Sequence, residues 1–262
     1  MNGIVLAIIV VAGIGLLIGL ILAVASVIMA VPTDEKAEKI LECLPGANCG
    51  ACGYSGCEGY AKALSKGEAQ NGQCVPGGDS AASKIADIIG VSATANDKKI
   101  AVVKCLGSCD NMHKNAVYQG IKSCKSLSTL NGVNACNYGC LGCGDCVNVC
   151  KFDALSVCNG VAVVNSQKCV GCGECAKTCP KKIISVVSAK ESAVVRCSNH
   201  DKGAITRKAC NAGCIGCMKC VKTCEAGAVK VTAFCADVDF TKCTGCFNCV
   251  GACPQGCISS LL

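Results

Sequence analysis

The run Cys136-Asn-Tyr-Gly-Cys140-Leu-Gly-Cys143-Gly-Asp-Cys146-Val-Asn-Val-Cys150 decides the fold, because its cysteine spacing returns 74 residues later, at residues 210–224. Eighteen residues after each copy comes a second run of four cysteines, at residues 169–179 and again at residues 243–253. The two copies align without a gap. Such a long exact repeat of spacing indicates two copies of one structural unit in tandem.

Each copy contains the spacing C-x2-C-x2-C-x3-C twice, which is the pattern of bacterial ferredoxins. In that pattern the fourth cysteine of one run binds the cluster of the other run, so we expect two [4Fe–4S] clusters in each copy. The predicted ligand sets are Cys140, Cys143, Cys146 and Cys179; Cys150, Cys169, Cys172 and Cys175; Cys214, Cys217, Cys220 and Cys253; and Cys224, Cys243, Cys246 and Cys249. The proline that usually follows the fourth cysteine is kept at Pro180 and Pro254 and replaced by Lys151 and Glu225, which removes no ligand.

A further cysteine motif precedes the repeat. Its spacing is C-x2-C-x4-C-x16-C, and its members are Cys49, Cys52, Cys57 and Cys74. Four thiolates suit a [4Fe–4S] cluster, and the glycines at positions 50, 53 and 56 let backbone N–H groups turn toward the sulfurs. A structural zinc site with four cysteine ligands is the alternative. The sequence therefore predicts five clusters in all.

Ten cysteines lie outside these five sets, namely Cys43, Cys105, Cys109, Cys124, Cys136, Cys158, Cys197, Cys210, Cys235 and Cys257. Val-Val-Lys-Cys105 and Val-Val-Arg-Cys197 each precede one copy, and Cys136 and Cys210 each stand four residues before a first ligand. A sixth set could consist of Cys105, Cys109, Cys124 and Cys136. The alternatives are that these thiols are buried and inert, or that Cys136 replaces Cys143 as a ligand and Cys210 replaces Cys217.

Composition and charge exclude several classes of protein. Thirty cysteines in 262 residues could form a secreted disulfide scaffold, but closely spaced C-x2-C runs are typical of metal sites. The formal charge of +7 could indicate nucleic-acid binding, yet five clusters of charge about −2 would bring it to about −3. No dinucleotide-binding glycine motif and no acid–base or nucleophile set is recognisable, so we expect no bond-making active site.

The N-terminal block of residues 3–31 contains 29 residues and no charge. As a helix it would extend about 43 Å, which exceeds the roughly 30 Å of a bilayer core. This block lacks the basic first segment of a signal peptide, and it is about twice as long as the apolar region of such a peptide. We therefore expect a retained membrane anchor. Lys36 and Lys39 favour a cytoplasmic position for everything that follows.

These features predict an α+β chain with one transmembrane helix, a small four-cysteine Fe–S domain and two tandem ferredoxin-like modules. The expected boundaries are 1–32 for the anchor, 40–78 for the four-cysteine domain, 79–99 for a helical linker, 100–190 for the first module with its cysteine-rich lead segment, and 191–262 for the second. We also expect a helix over residues 80–89 capped by Asp79 or Ser80, a strand over 100–105, and a hairpin turning at Asn159-Gly160.

The uncharged first helix, Leu44-Pro-Gly-Ala-Asn-Cys-Gly-Ala-Cys-Gly-Tyr-Ser-Gly-Cys57, the distal Cys74-Val-Pro-Gly-Gly78 and the following ferredoxin module together resemble the B subunits of the Rnf ion-translocating electron-transport complexes. The resemblance spans essentially the whole chain, with a second module as in the longer versions of anaerobic bacteria. It implies electron entry from soluble reduced ferredoxin and transfer to membrane and peripheral subunits and finally to NAD, with Na⁺ or H⁺ moved across the cell membrane. The Fe–S subunit of another membrane oxidoreductase and a zinc-stabilised scaffold remain alternatives.

Overall fold

The computed structural model describes residues 3–28, 34–92, 98–130, 132–190 and 192–261. The first helix, α1, covers Gly3–Ile28 and contains no charged residue. Over Gly3–Ser26 it is long and apolar enough to cross a membrane, and its side chains there are not covered by the rest of the chain. The prediction of an apolar helix is confirmed, while the end predicted at residue 31 lies outside the described residues.

Three helices form the four-cysteine domain: α2 at Glu35–Cys43, α3 at Cys57–Ser65 and α4 at Gly78–Ile89. The Asp34 side chain caps α2 by accepting hydrogen bonds from the backbone N–H groups of Lys36 and Ala37. Ile40 of α2, Tyr60 of α3 and Ile85 of α4 are buried in one apolar core. Gly90 ends α4 in the left-handed conformation, as expected for a C-terminal glycine.

The helix that the sequence placed in a linker therefore belongs to this domain. It also begins two residues earlier than predicted, because Gly77 and not Asp79 or Ser80 occupies the N-cap position. Asp79 instead lies in the first turn, where its carboxylate faces the positive end of the helix dipole.

The first ferredoxin-like module runs from the strand β1 to the strand β4. Its elements are β1 at Lys99–Val103, α5 at Cys124–Ser128, α6 at Asp145–Asn148, β2 at Leu155–Cys158, β3 at Val161–Val164, α7 at Glu174–Thr178 and β4 at Ile184–Ser188. β1 pairs antiparallel with β4, from Lys99 opposite Ser188 to Val103 opposite Ile184. β2 and β3 form the predicted hairpin, and Asn159 and Gly160 both have the positive φ that its two-residue turn requires.

The second module repeats this arrangement. Its elements are β5 at Ala193–Val195, α8 at Gly203–Ala209, α9 at Lys219–Thr223, β6 at Val229–Thr232, β7 at Cys235–Val238, α10 at Asn248–Gly251 and β8 at Ile258–Ser260. β5 pairs antiparallel with β8, and β6 with β7. The starts of β6, β7, α9, α10 and β8 each follow their counterparts in the first module by 74 residues. The predicted α+β class and the tandem repeat are thus confirmed at the level of secondary structure.

The two modules touch along one face. Lys104 Nζ of the first module lies 2.9 Å from Asp237 Oδ1 of the second. An isolated β-bridge joins Met112 to Cys210, and both residues belong to a small buried cluster with Cys136 and Ala209. The segment between Cys105 and Cys136 contains 30 residues, whereas its counterpart between Cys197 and Cys210 contains 12, so the first module carries an insertion of 18 residues.

Candidate metal centres

The four cysteines of the N-terminal domain surround a single cavity of about 290 Å³, whose cysteine lining is Cys49, Cys52, Cys57 and Cys74. The loop that carries them is held by the Asn48 side chain, which accepts the backbone N–H of Cys57 at 2.8 Å. Tyr60 forms one wall of the cavity and is fixed by its hydroxyl, which donates to the carbonyl of Gln70 at 2.8 Å. This set of thiols is therefore brought together as the motif predicts.

The first module contains two cysteine-lined cavities. The smaller, of about 300 Å³, is lined by Cys150, Cys169, Cys172 and Cys175. The larger, of about 410 Å³, is lined by Cys124, Cys140, Cys146 and Cys179. Cys150 and Cys179 thus each line the cavity of the other run, which is the crossing that the ferredoxin spacing predicts.

Cys143, a predicted ligand, does not line the larger cavity, but its thiol lies beside Cys124 and Cys140, which do. The Cys143 thiol points toward the carbonyl of Leu141 at 3.6 Å, and burial together with the nearby Cys124 raises the pKa of Cys143 to about 11. Cys124 is buried and comes from the 18-residue insertion that the second module lacks. The second module has no such fifth thiol from an insertion, and there Cys217, the counterpart of Cys143, lines the cavity.

The second module repeats the same grouping. Its larger cavity, of about 320 Å³, is lined by Cys214, Cys217, Cys220 and Cys253, with Cys257 beside them. The remaining predicted set of this module also lies close together. Burial raises the pKa of the Cys249 thiol, and Cys224, Cys243 and Cys246 are near enough to raise it further electrostatically. Cys257 Sγ lies 3.5 Å from Cys253 Sγ, and Cys235 Sγ lies 3.4 Å from the carbonyl of Cys197.

Backbone N–H groups point at the sulfurs in positions that repeat between the modules. Ala154 N lies 3.4 Å from Cys150 Sγ, and its counterpart Ala228 N lies 3.3 Å from Cys224 Sγ. Ala236 N lies 3.4 Å from Cys214 Sγ, in the second hairpin. Such hydrogen bonds stabilise negative charge on a sulfur and raise the reduction potential of a bound cluster. The backbone around these thiols is therefore arranged to stabilise negative charge on their sulfurs.

Burial opposes ionisation of several of the predicted ligand thiols in the absence of metal, namely Cys175, Cys146 and Cys220. Desolvation, reinforced by Cys169 and Cys172, raises the pKa of Cys175 to about 12. Desolvation also raises the pKa of Cys146 and that of Cys220 to about 11. Metal ligation requires thiolates, so cationic iron must displace these protons when a cluster is built.

The cavities also test which metal centre the thiols would fit. Among the described residues, no three side chains of His, Cys, Asp or Glu converge closely enough to hold a single metal ion. Most of the predicted ligand thiols instead border a cavity shared within their set, and several of them receive backbone N–H hydrogen bonds. A ring of four thiols around an open space fits a multi-iron cluster better than a single zinc ion, whose bonds to sulfur are about 2.3 Å long.

Two lysines join the four-cysteine domain to the first module. Lys151 Nζ donates to the carbonyl of Ala47 at 2.8 Å, and Lys177 Nζ donates to the carbonyl of Cys49 at 3.1 Å. The cavity of Cys49 therefore lies next to that of Cys172. Neither contact follows from the sequence, in which the replacement of the usual proline by the long cation Lys151 is the one available signal.

The extra set predicted from sequence is not brought together. Cys109 is exposed, and its backbone N–H binds the hairpin carbonyl of Asn159 at 2.8 Å. Cys124 lines the larger cavity of the first module, whereas Cys105 and Cys136 line a different cavity, between the modules. The reason is the path of the insertion, which carries Cys109 and Cys124 away from Cys105. Cys136 is therefore also not placed as a substitute for Cys143.

Comparison with known proteins agrees with this arrangement. Residues 44–76 match the family model described as "Putative Fe-S cluster", and residues 139–183 match that of the 4Fe-4S dicluster domain. The chain is 39% identical to the B subunit of the Na(+)-translocating ferredoxin:NAD(+) oxidoreductase complex of Acetobacterium woodii, over 94% of this chain and 74% of that protein.

Two other relatives are matched over more of their length. The B subunit of the ion-translocating oxidoreductase complex of Methanosarcina acetivorans is 39% identical over 89% of both chains. The B subunit of the proton-translocating ferredoxin:NAD(+) oxidoreductase complex of Clostridium ljungdahlii is 40% identical over 91% of this chain and 85% of that protein. Motifs, module order and similarity along nearly the whole length agree, so the chain belongs to the B subunit family of the ion-translocating oxidoreductase complexes, the Rnf type.

Proposed function

We propose that this chain is the iron–sulfur electron-transfer subunit of an ion-translocating ferredoxin:NAD oxidoreductase. It accepts electrons from reduced soluble ferredoxin and passes them to the other membrane and peripheral subunits of the complex, which move Na⁺ or H⁺. The names of its relatives support this role, since they include both a Na⁺-translocating and a proton-translocating ferredoxin:NAD⁺ oxidoreductase. The chain itself makes and breaks no bonds in a substrate.

In this proposal the five sequence-derived cysteine sets each bind one [4Fe–4S] cluster, and each cluster carries one electron at a time. The chain's own residues supply the rest. Buried thiols bind the iron, repeated N–H donors such as those of Ala154 and Ala228 adjust the charge on sulfur, and apolar walls keep water away. The grouping of each set around its own cavity or in mutual electrostatic contact supports these assignments.

The observation that carries the relay is the contact between the four-cysteine domain and the first module. Lys177 Nζ binds the carbonyl of Cys49 and also lies 2.9 Å from Glu174 Oε1, two residues from Cys172. Electron transfer between centres requires them to be close, and this contact brings two proposed centres together at their edges. A scaffold that bound only structural zinc would not require its metal sites to lie close together.

The proposed placement in the cell follows from α1. Residues 1–32 anchor the chain by a single membrane pass, and the cluster-bearing part lies on the cytoplasmic side, where soluble ferredoxin is found. Lys36 and Lys39, just past the anchor, support this side. In this proposal the four-cysteine domain extends from α2 through α4, and the two modules follow at residues 100–190 and 191–262.

Anaerobic purification of the full chain in detergent tests the proposal. The protein should be brown and should bleach when mixed with reduced ferredoxin, with the reduced clusters visible by EPR. Oxidised ferredoxin is the control and should cause no bleaching. A colourless protein containing zinc would support the scaffold alternative, and a brown protein that is reduced by another donor but not by ferredoxin would support a different oxidoreductase.

A further inference from the structure

We propose that Cys105, Cys136, Cys197 and Cys210 hold a sixth [4Fe–4S] cluster at the junction of the two modules. The proposal deepens the electron relay described above and rests on it for its role, although its iron can be counted independently of any electron transfer. It replaces the sixth set expected from sequence, from which it keeps Cys105 and Cys136 and omits Cys109 and Cys124.

The first observation is a cavity between the modules. It measures about 320 Å³, the same as the cavity of Cys214 and its partners, and all four proposed thiols line it. Cys105, Cys136 and Cys210 are buried, and Cys197 is partly so. The thiols are also mutually close. Cys136 and Cys197 lie near enough to Cys210 to interact with it electrostatically, and Cys136 interacts with Cys105 in the same way.

The second observation is that the four residues are two equivalent pairs. Cys105 follows β1 as Cys197 follows β5, each after a Val-Val-Lys or Val-Val-Arg sequence. Cys136 and Cys210 are separated by the 74-residue offset of the repeat. Each module therefore contributes the same two positions, as expected for a site on an approximate twofold axis. Cys109 and Cys124 have no counterparts, because they lie in the insertion of the first module.

The third observation concerns the hydrogen bonds to the sulfurs. Gly107 N lies 3.3 Å from Cys105 Sγ, and Asn199 N lies 3.5 Å from Cys197 Sγ, so each sulfur accepts the N–H two residues further on. Cys136 and Cys210 accept the N–H groups of Tyr138 and Ala212 in the same way.

The same turn occurs at the ligands already proposed. Cys140 accepts from Gly142 N, and Cys214 accepts from Gly216 N. All four junction thiols therefore have the local backbone geometry of cluster ligands in this chain. An inert buried thiol has no need of a repeated donor of this kind.

The fourth observation is a buried N–H group of a cationic side chain that, in the described part of the chain, has no partner beside the cavity. Arg196 lines it, and its buried Nε has no hydrogen-bond partner among the described residues. A buried polar N–H without a partner is unfavourable, and a buried cation needs a nearby negative charge. A cluster of net charge about −2 with sulfur acceptors would supply both. Asn199 Nδ2, 3.4 Å from Cys136 Sγ, is a further donor directed at the site.

The position of the site gives it a role. Cys140 N lies 3.3 Å from Cys105 Sγ, and Cys214 N lies 3.2 Å from Cys197 Sγ. The junction set therefore borders one proposed cluster ligand in each module. One electron leaving a reduced cluster on the Cys140 side would reduce the junction cluster, which would return to its oxidised state by passing that electron to the Cys214 side. No proton moves and no ligand changes in this step.

Single substitutions in the full chain, purified anaerobically, test the assignment. Cys136→Ser and Cys210→Ser should each lower the content by up to about four iron and four sulfide per chain, from about 24 of each in the unmodified chain. Cys109→Ser and Cys158→Ser are matched controls at exposed cysteines outside every proposed set, and they should leave both counts unchanged. EPR of the reduced variants should show the signals of the other five clusters.

Several outcomes would overturn the proposal. They are an unmodified chain with about 20 iron, unchanged iron in both junction variants, one zinc ion per chain lost with them, or a Cys136–Cys210 disulfide found by mass spectrometry of the anaerobic protein. A chain without iron at any site would instead refute the proposed function as a whole.

If the serine variants fail to fold, the Arg196→Gln variant tests the proposed junction cluster, because it leaves every thiol in place. It should lower the midpoint potential of one cluster in the EPR titration and leave the others unchanged, since a nearby positive charge favours the reduced state. An Arg196→Gln chain in which no potential changes would contradict the proposal.

Discussion

At the scale of single residues, the crossing of ligands between runs is the feature that local sequence reasoning would most easily misassign. Cys179 follows Cys175 by four residues but lines the cavity of Cys140 and Cys146, and its charge acts on Cys146. Cys253 acts on Cys220 in the same way in the second module. The ferredoxin spacing predicts this crossing, because the short helix in each run directs its last cysteine back to the other half.

Replacing Cys179 by Ala should therefore damage a cluster whose other ligands lie more than 30 residues upstream. We expect loss of about one iron and the EPR signal of an oxidised three-iron cluster, while the site of Cys169, Cys172 and Cys175 keeps its full content. Cys158→Ala is the control, since Cys158 is exposed and lies in no proposed set. Iron lost instead from the site of Cys169 would contradict the crossing.

The spacing of single residues predicts the five cysteine sets, but it does not predict the proposed junction set. The sequence identifies Cys136 and Cys210 as one repeated pair and Cys105 and Cys197 as another. Nothing in the sequence said that the two pairs face each other across a module boundary, because that depends on how two folded units pack. The insertion added Cys109 and Cys124 close in sequence, and sequence proximity then favoured the set that the structure separates.

At the scale of elements, each of the two hairpin turns packs closely against one cluster loop. A Cβ added to Gly142 would lie 2.5 Å from the carbonyl oxygen of Gly160 in the β2–β3 turn, and one added to Gly216 would lie 2.8 Å from that of Phe234 in the β6–β7 turn. Both glycines have positive φ. The hairpin turn and the cluster loop therefore fit together only when the loop residue has no side chain.

Gly142→Ala should destabilise the first module by about 1–3 kcal/mol more than the strain of a left-handed alanine alone. Gly227→Ala is a matched control, because Gly227 also has a φ of +61° but has open space where the Cβ would lie. The measurement is the rate at which the visible absorbance disappears in urea under anaerobic conditions. Equal rates for the two variants would show that contact with the hairpin carbonyl is unimportant.

Two lysines hold the four-cysteine domain against the first module, and each donates to a backbone carbonyl. Removing both, as Lys151→Ala with Lys177→Ala, should slow electron exchange between the two parts by at least about tenfold, while iron content stays the same. The expected change equals about 1.4 kcal/mol in the free energy of the docked arrangement. Lys62→Ala is the control, since Lys62 pairs with Glu58 within α3. Freeze-quench EPR after mixing with a reductant would measure the exchange, and an unchanged rate would contradict the role of the contact.

Element types were predictable where local chemistry fixed them. The Asn159-Gly160 turn and the strand before Cys105 depend on short-range preferences, and both are found close to the predicted positions. The role of α4 was not predictable, because its apolar face could equally cover a linker or complete a core. Only the packing of Ile85 against Ile40 and Tyr60 distinguishes these, and that contact joins residues 45 positions apart.

At the scale of the whole molecule, α1 is separable from the remainder. Its side chains over Gly3–Ser26 are not covered by other parts of the chain, and Asp34 already caps the next helix. Deleting residues 1–33 should therefore give a soluble brown protein that keeps its iron and accepts electrons from reduced ferredoxin but no longer assembles with membranes. Sedimentation of washed membranes measures this, with the full chain as the control. A truncated chain that stays with membranes after high-salt washing would show that α1 is not the main anchor.

The pairing of β1 with β4 and of β5 with β8 allows whole modules to be gained or lost during evolution. Because Lys99 pairs with Ser188, the first and last strands of the first module lie side by side, so the chain enters and leaves this module at the same place. Ala193 and Ser260 are paired in the same way in the second module. A gene segment that encodes one module can thus be duplicated or lost without cutting any ladder of its neighbours. The number of modules can then change in whole steps, while the anchor and the four-cysteine domain are unaffected and the proposed junction site forms only where two modules meet.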